Sequence, residues 1–282
     1  MNLTSPSQVK AWCIEHEFHP NKVLGQNFLI DCNALVAIVD AGLAGCEDPT
    51  KAKVLEIGPG LGVLTEEMLS RGCSVTAVEK DPVLAARLTE SLGNPAKLTV
   101  VSGDALDWIA KGTADQSAVP GSPFPVPRFS HMVSNLPYQA GTRILLELVQ
   151  AREIPSMTVL VQTEVAERLA AKEGSKTRGL AGVWAQLDYD VKIVRKVAAS
   201  CFWPRPEIGS SVVTLTRHER NVALSAKERD VFRRLTKKAF EHRRKQLGSV
   251  FKDLIQSQLR AEQLSNEDWI NLSKGIAENE DS

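Results

Sequence analysis

The sequence offers no net charge to read: 34 Lys and Arg balance 34 Asp and Glu over 282 residues. Whole-chain electrostatics therefore identifies no anionic partner. Paired cysteines are missing as well. Cys13, Cys32, Cys46, Cys73 and Cys201 are scattered with no CxxC among them, which speaks against a CxxC metal or redox site and fits unpaired thiols in a reducing compartment. Cys13, His16 and His19 lie at helical spacing, but no further ligand cluster completes a site, so no metal is expected. No apolar run approaches the ~18 residues of a membrane span, and the amino-terminal residues lack an apolar signal-like core. The expectation is a soluble, cytoplasmic chain without membrane contact. Internal repeats and low-complexity tracts are absent, which removes repeat architectures.

What is present is an alternation of helix and strand signals, which points to an α/β class. Ser5-Pro6-Ser7-Gln8 combines an N-cap serine, a first-turn proline and a capping-box glutamine, predicting a helix to about Phe18. A second helix is expected from about Cys32 to Ala41. KVLEIG, GVLTEEMLSRG, SVTAVEK, DPVLAARLTESLG and LTVVSGD then read as strand, helix, strand, helix, strand. Continuous apolar runs of this kind suit parallel strands buried on both faces. Residues 111–130 hold four prolines and little periodicity, predicting an exposed, mobile loop. HMVSN, MTVLVQ, DVKIVRKV and SSVVTLTR continue as strands, and from Ser225 onward only helical patterns appear. The expected division is a sheet domain over 1–220, with a helical lead-in over 1–50, and a small all-helical domain over 221–282.

Gly58-Pro59-Gly60-Leu61-Gly62 follows a strand and opens a helix. Glycines let the backbone turn tightly and approach a ligand, and the helix start offers unpaired amides. Glu79 closes the next strand 21 residues after Gly58, close to the spacing at which an acid meets ribose hydroxyls; the plainer role is a helix-start carboxylate near Asp81. The third glycine arrives one residue earlier than in the dinucleotide pattern GxGxxG. A nucleoside without a pyrophosphate fits better, as in S-adenosylmethionine. Asp104 ends the third strand, placed to accept from an adenine amine or simply to cap the following turn.

Asn135-Leu136-Pro137-Tyr138 ends the next strand and would emerge at the same carboxyl edge, where open α/β sheets bind ligands. In isolation it is an ordinary turn. Beside the glycines and acids it has a chemical use. The Asn135 side-chain oxygen and the Leu136 carbonyl can accept both N–H bonds of an adenine amine and favour a pyramidal nitrogen facing an electrophilic methyl. Pro137 fixes the turn, and Tyr138 can stack on a base taken out of its helix. Positioning and electrostatics would supply most of the catalysis, with the proton leaving after attack.

These motifs resemble the ribosomal RNA adenine N6,N6-dimethyltransferase family, over about Val23 to Lys245. GQNFLID is similar to the family's amino-terminal cofactor motif, LEIGPGLGVLT to its glycine loop, VEKD to its ribose-binding acid and NLPY to its target-amine motif. QTEVAERL and GLAGVWAQ match later segments, and FWPRPEIGSSVV its proline-rich signature. The resemblance implies a Rossmann-like class I S-adenosylmethionine-dependent methyltransferase sheet with a small C-terminal all-helical domain. It implies cofactor contacts at Gln26, Asn27, Leu29, Gly58, Gly60, Glu79, Lys80, Asp104, Ala105 and Asn135, and catalytic positions at Asn135, Leu136, Pro137, Tyr138 and Phe202. Phe202 would stack on the target base opposite Tyr138, unless it is a core aromatic at a chain bend. Leu24 and Arg178 stand where the family more often has aromatics, and Ile208 where it has valine.

The implied reaction places two methyl groups on each of two adjacent adenines in the 3′-terminal hairpin loop of 16S rRNA, within a pre-30S particle, by a monomer. Between Arg217 and Lys245 there are eleven Lys and Arg against four Asp and Glu. Arg243, Arg244 and Lys245 within it resemble the family's RNA-contacting region and would touch phosphates, unless they pair with Glu241 or coat a solvated helix. The rival readings are a 23S rRNA adenine N6-methyltransferase of the macrolide-resistance type and a non-catalytic ribosome-assembly factor. A nicotinamide oxidoreductase would need GxGxxG and a hydride-handling site, and neither is present.

Overall fold

A computed structural model describes all residues except 22, 23, 114–127, 222, 253, 256, 281 and 282. Most of the proline-rich loop expected at 111–130 therefore lies outside the described residues. The chain divides into two compact units. The first comprises Met1–Ala166 and Lys192–Arg217, the second Glu167–Val191 and His218–Ser282. The division expected at 220/221 differs from this in the segment 167–191, which clusters with the carboxyl-terminal helices, and in residues 218–220, which also fall in the second unit.

The first unit opens with α1 (Pro6–Glu15), a two-residue β1 (Phe28–Leu29) and α2 (Cys32–Gly42). Ser5 is the N-cap of α1 with Pro6 behind it, but the expected capping box does not form. Ser5 makes no side-chain cap bond, and the Gln8 side chain accepts instead from the Asn2 N–H at 2.7 Å. His16 Nδ1–H donates to the Trp12 carbonyl at 2.8 Å, and its ring stacks on Trp12. Then come β2 (Lys53–Ile57), α3 (Val63–Ser70), β3 (Ser74–Glu79), α4 (Pro82–Ser91), β4 (Leu98–Ser102), α5 (Ala105–Thr113), β5 (His131–Asn135), α6 (Gly141–Ala151), β6 (Ser156–Gln162) and α7 (Thr163–Ala170). After α8 (Leu180–Asp188) follow β7 (Tyr189–Val197), β8 (Phe202–Trp203) and β9 (Ser210–Arg217).

Among the described residues seven strands form one sheet in the order β4-β3-β2-β5-β6-β9-β7, and β1 pairs separately with β8. The strands β2 to β6 run parallel, whereas β9 is antiparallel to β6. Val54, Leu55, Glu56 and Ile57 of β2 are all buried, as are the five central residues of β6. Helices cover both faces of such central strands, which is why their sequences do not alternate. The order reverses between β2 and β5, so a crevice opens at their carboxyl ends.

Glycine sets one of the closest helix-to-sheet contacts. A Cβ on Gly42 would lie 2.4 Å from Cγ2 of Val133, a fully buried residue of β5.

The second unit packs α8, α9 (Ala226–Glu241), α10 (Leu247–Val250) and α11 (Asn266–Asn279) around Val183, Leu187, Phe232, Leu235 and Trp269. Ser225 heads α9 with a full capping box. Its hydroxyl accepts from Glu228 N–H at 3.2 Å while the Glu228 carboxylate accepts from Ser225 N–H at 2.6 Å. Buried Arg229 grips Asp188 through two bonds of 2.7 and 2.9 Å. Arg178, which stands where the family more often has an aromatic, is 1% exposed. Its guanidinium donates to the Ala171 carbonyl at 3.1 Å and to Asn266 Oδ1 at 2.8 Å, so its side chain faces inward.

Gly42→Ala is expected to cost about 1–3 kcal/mol through overpacking against Val133. Val133→Ala in the same chain should recover part of that loss in denaturant unfolding. An unchanged midpoint in the single variant would show that the helix moves away freely.

Candidate active site

A cavity of about 190 Å³ sits at the carboxyl edge of β2, β3, β4 and β5. It is lined by Gln26, Asn27, Leu29, Gly58, Gly60, Glu79, Lys80, Asp104, Ala105, Asn135, Leu136, Pro137 and Tyr138, among others. The parallel register brings these distant segments to one level, with Ile57 opposite Val78 and Glu79 opposite Ser102.

The glycine turn is built as its sequence requires. Gly58 and Gly60 have φ of +68° and +59°, a region that favours residues without a Cβ. A Cβ on Gly60 would press on the Phe28 ring at 3.0 Å. Glu79 binds this turn directly, since one carboxylate oxygen accepts from Gly60 N–H at 3.0 Å and the other from Asp81 N–H at 2.8 Å. Asp81 in turn caps α4, accepting from Val83 N–H at 3.0 Å.

Asp104 does two jobs in this arrangement. One oxygen caps the start of α5, accepting from Leu106 N–H at 2.8 Å, and the other lies 2.8 Å from the Lys80 ammonium. The lysine holds the Asp104 carboxyl below the usual range, helped by the backbone bond. Burial pushes the Glu79 carboxyl up, with its two backbone bonds opposing that shift.

Asn135 closes β5. Its Nδ2 donates to the Asn27 carbonyl at 3.1 Å, and its Oδ1 is buried with no hydrogen-bond partner. A buried amide oxygen left unpaired costs free energy that a ligand N–H can recover. Leu136 N–H donates to the Leu160 carbonyl at 3.1 Å, and Gly141 N–H to the Pro137 carbonyl at 2.7 Å, which fix the turn at both ends. The Tyr138 hydroxyl pairs with Ser210 Oγ at 2.9 Å, anchoring the ring at the cavity wall.

Phe202 corrects the expectation placed on it. It does not line the cavity; it is 2% exposed, lies opposite Leu29 in the short ladder and packs with Leu160 and Val212. Its apolar ring is part of the core in this structure, and of the expected stacking pair only Tyr138 reaches the cavity. In the second unit the Arg243 guanidinium donates to the Lys176 carbonyl and lies 3.8 Å from Glu262, not Glu241. Arg244 and Lys245 are exposed.

Glu56 lies inside LEIGPGLGVLT without a role of its own in the motif reading, although a carboxylate among Val54, Leu55 and Ile57 is a signal. It is 1% exposed, lines the cavity and accepts from the Thr65 hydroxyl at 2.6 Å. Burial pushes its carboxyl up to about 8, the Thr65 bond opposing and the nearby Glu79 charge adding to the shift. Among the described residues no group of three or more His, Cys, Asp or Glu is placed to hold a metal ion.

The raised value has a definite sign in stability. The unfolded chain releases the Glu56 proton near 4.5 and the folded chain near 8. Between these values the unfolded state binds fewer protons, so this group makes stability fall as pH rises. Glu56→Gln keeps the acceptor for Thr65 and removes the titration. Its unfolding free energy should gain on the parent's progressively across that window; parallel pH curves would mean that Glu56 is ionised in the fold.

Comparison with known proteins agrees with this geometry. Residues 17–279 match the family described as ribosomal RNA adenine dimethylase. A "Ribosomal RNA small subunit methyltransferase A" of Deinococcus radiodurans is 44% identical over 213 residues, covering 76% of this chain and 67% of the relative. One of the same name from Shouchella clausii is 36% identical over 245 residues, covering 86% and 79%. The crystal structure of a dimethyladenosine transferase from Plasmodium falciparum superposes with a TM-score of 0.72 at 21% identity, covering 89% of this chain and 98% of that one. The 23S rRNA methyltransferase ErmE gives 0.63 at 22% identity, covering 88% and 98%. These two carry the fold, a Rossmann-like class I methyltransferase sheet. On the match over 17–279, this chain belongs to the ribosomal RNA adenine dimethylase family.

Proposed function

We propose that this protein transfers methyl groups from S-adenosylmethionine to N6 of two adjacent adenines in the 3′-terminal hairpin loop of 16S rRNA, giving N6,N6-dimethyladenosines. The substrate is a pre-30S particle, met by a monomer in the cytoplasm during ribosome biogenesis. The names of the similar small-subunit methyltransferases support the choice of rRNA. The observation that carries the reading is the Asn135 amide, clamped through Nδ2 with its buried Oδ1 unpaired at the cavity.

The residues present suit S-adenosylmethionine. Gly58 and Gly60 keep the turn free of Cβ atoms, Glu79 retains lone pairs for ribose hydroxyls, and Asp104 can accept from an adenine amine. Gln26, Asn27, Leu29, Lys80 and Ala105 complete the wall. When bound, the cofactor supplies an electrophilic methyl group.

The chain's own part is orientation. The target amine is a weak nucleophile because its lone pair is delocalised into the adenine ring. Asn135 Oδ1 and the Leu136 carbonyl accept its two N–H bonds and favour a pyramidal nitrogen. Pro137 holds the turn and Tyr138 stacks on the extruded base, which needs a few kcal/mol of unstacking. Once the nitrogen has become cationic its proton is acidic enough to leave to water, so no side chain has to act as a base before attack. In the second unit exposed Arg244 and Lys245 face solvent for phosphate contact, and Arg243 braces them through Lys176 and Glu262. Such contacts add salt-dependent affinity and little base information.

The test is to incubate the protein with labelled S-adenosylmethionine and small subunits lacking the dimethyl marks, then map methylated nucleotides by mass spectrometry. Dimethyladenine at the two hairpin adenines is expected. Label on large-subunit RNA instead would favour the 23S reading, and tight subunit binding without label the assembly-factor reading. Asn135→Ala should lower transfer by about 10²-fold or more with cofactor affinity nearly unchanged; full turnover would remove the role given to this turn. Glu79→Ala should weaken cofactor binding by about 1.5–3 kcal/mol, as read by calorimetry, and parental affinity would contradict it.

A further inference from the structure

Asn135 does not orient itself. The bond that aims its oxygen is made to a backbone carbonyl, that of Asn27, on the segment 24–29 that lines the cavity. This strap is pressed closely onto its surroundings. Gly25, at φ +67°, passes so near the NLPY turn that a Cβ would stand 3.1 Å from the Tyr138 nitrogen. The strap's own geometry is stabilised by Asn27 Nδ2 donating to the Gly25 carbonyl at 3.0 Å.

One side chain of the strap ties it to Asp81, the residue that caps α4 after Glu79. Gln26 Nε2 donates to Asp81 Oδ2 at 2.8 Å, and Gln26 Oε1 accepts from Asn21 N–H at 2.7 Å. The other Asp81 oxygen caps α4. Both ends of the Gln26 amide are therefore engaged by the protein. The adjoining residue on one side is Gly25 against Tyr138, and on the other Asn27 against Asn135.

We infer that Gln26 is a positioning residue for methyl transfer, holding the Asn27 carbonyl where it orients the Asn135 amide, rather than a direct contact of the cofactor. The inference rests on the reading of Asn135 as the acceptor for the target amine. A strap released from Asp81 lets the Asn27 carbonyl drift. The Asn135 amide then loses the bond that distinguishes its two ends, and its Oδ1 no longer points reliably into the cavity.

The geometry provides its own rescue. Gln26→Glu replaces the donor with a carboxylate against Asp81 and breaks the bond, while keeping the acceptor for Asn21. Adding Asp81→Asn restores a bond of reversed polarity, in which the amide introduced at position 81 donates to the carboxylate introduced at position 26, while the amide oxygen still caps α4. In Gln26→Glu, single-turnover transfer should fall about 10-fold to 100-fold, the scale of a small misplacement of reacting groups, with cofactor affinity by calorimetry little changed. The double variant should recover most of the rate. Independently of activity, the Asn135 side-chain amide resonances should shift in Gln26→Glu and return in the double variant. Transfer and resonances unchanged in Gln26→Glu would overturn the inference, as would a loss not restored by Asp81→Asn in a chain of parental thermal stability. A loss of cofactor affinity equal to the loss of rate would make Gln26 a cofactor contact and overturn it too. If the parent protein transfers no methyl group, the functional reading fails while the amide resonances still decide the positioning claim.

Discussion

Parallel pairing of β2 with β3 and β5 is the constraint on which the site depends. A parallel ladder sends every strand's carboxyl end to the same edge, and reversal of strand order at β2 and β5 opens that edge into a crevice. The sheet is also cross-tied there, since Ile57 N–H donates to the Ser134 hydroxyl at 2.9 Å across 77 residues of chain. The glycine turn after β2, Glu79 at the end of β3, Asp104 after β4 and Asn135 at the end of β5 then need no further device to meet. The apolar strands beneath them, Val54, Leu55 and Ile57 flanked by Val78 and Val133, are buried, and close packing of this kind makes the platform stiff.

That platform supports polar groups which are costly to bury. Burial pushes the Glu56 carboxyl up, Glu79 is held by two backbone amides, and the Asn135 oxygen is unpaired. An unmet buried acceptor costs about 1–3 kcal/mol, a sum the surrounding core must offset until a ligand supplies the missing donor. Unsatisfied groups of this kind concentrate where a protein binds something. The second unit handles buried charge differently. Arg229 is hydrogen-bonded to Asp188 as a counter-charge, whereas Arg178 donates to the neutral oxygens of Ala171 and Asn266.

Local sequence was informative wherever one strand end and the turn after it decide the structure. Gly58, Gly60, Glu79, Asp104 and the NLPY turn all stand at such ends, and all line the cavity. Legibility failed for side chains whose direction is set by distant partners. Phe202 has the ring that base stacking needs, yet its neighbours Leu29, Leu160 and Val212 enclose it. Arg243 sits in a basic run, yet Lys176 and Glu262 engage it. Gln26 lies in a cofactor-like motif, yet its amide bonds to Asp81, 55 residues away.

Apolar periodicity, glycine placement and capping residues by themselves determined the α/β class, most strand and helix positions and which turns meet at the cavity, because these depend on steric preferences within a few residues. Tertiary structure alone decided the burial that pushes the Glu56 carboxyl up, the aim of the Asn135 amide, and the burial of Phe202 and Arg178 in the core. Desolvation and hydrogen-bond geometry depend on atoms from remote segments, and a short stretch of sequence contains no record of them.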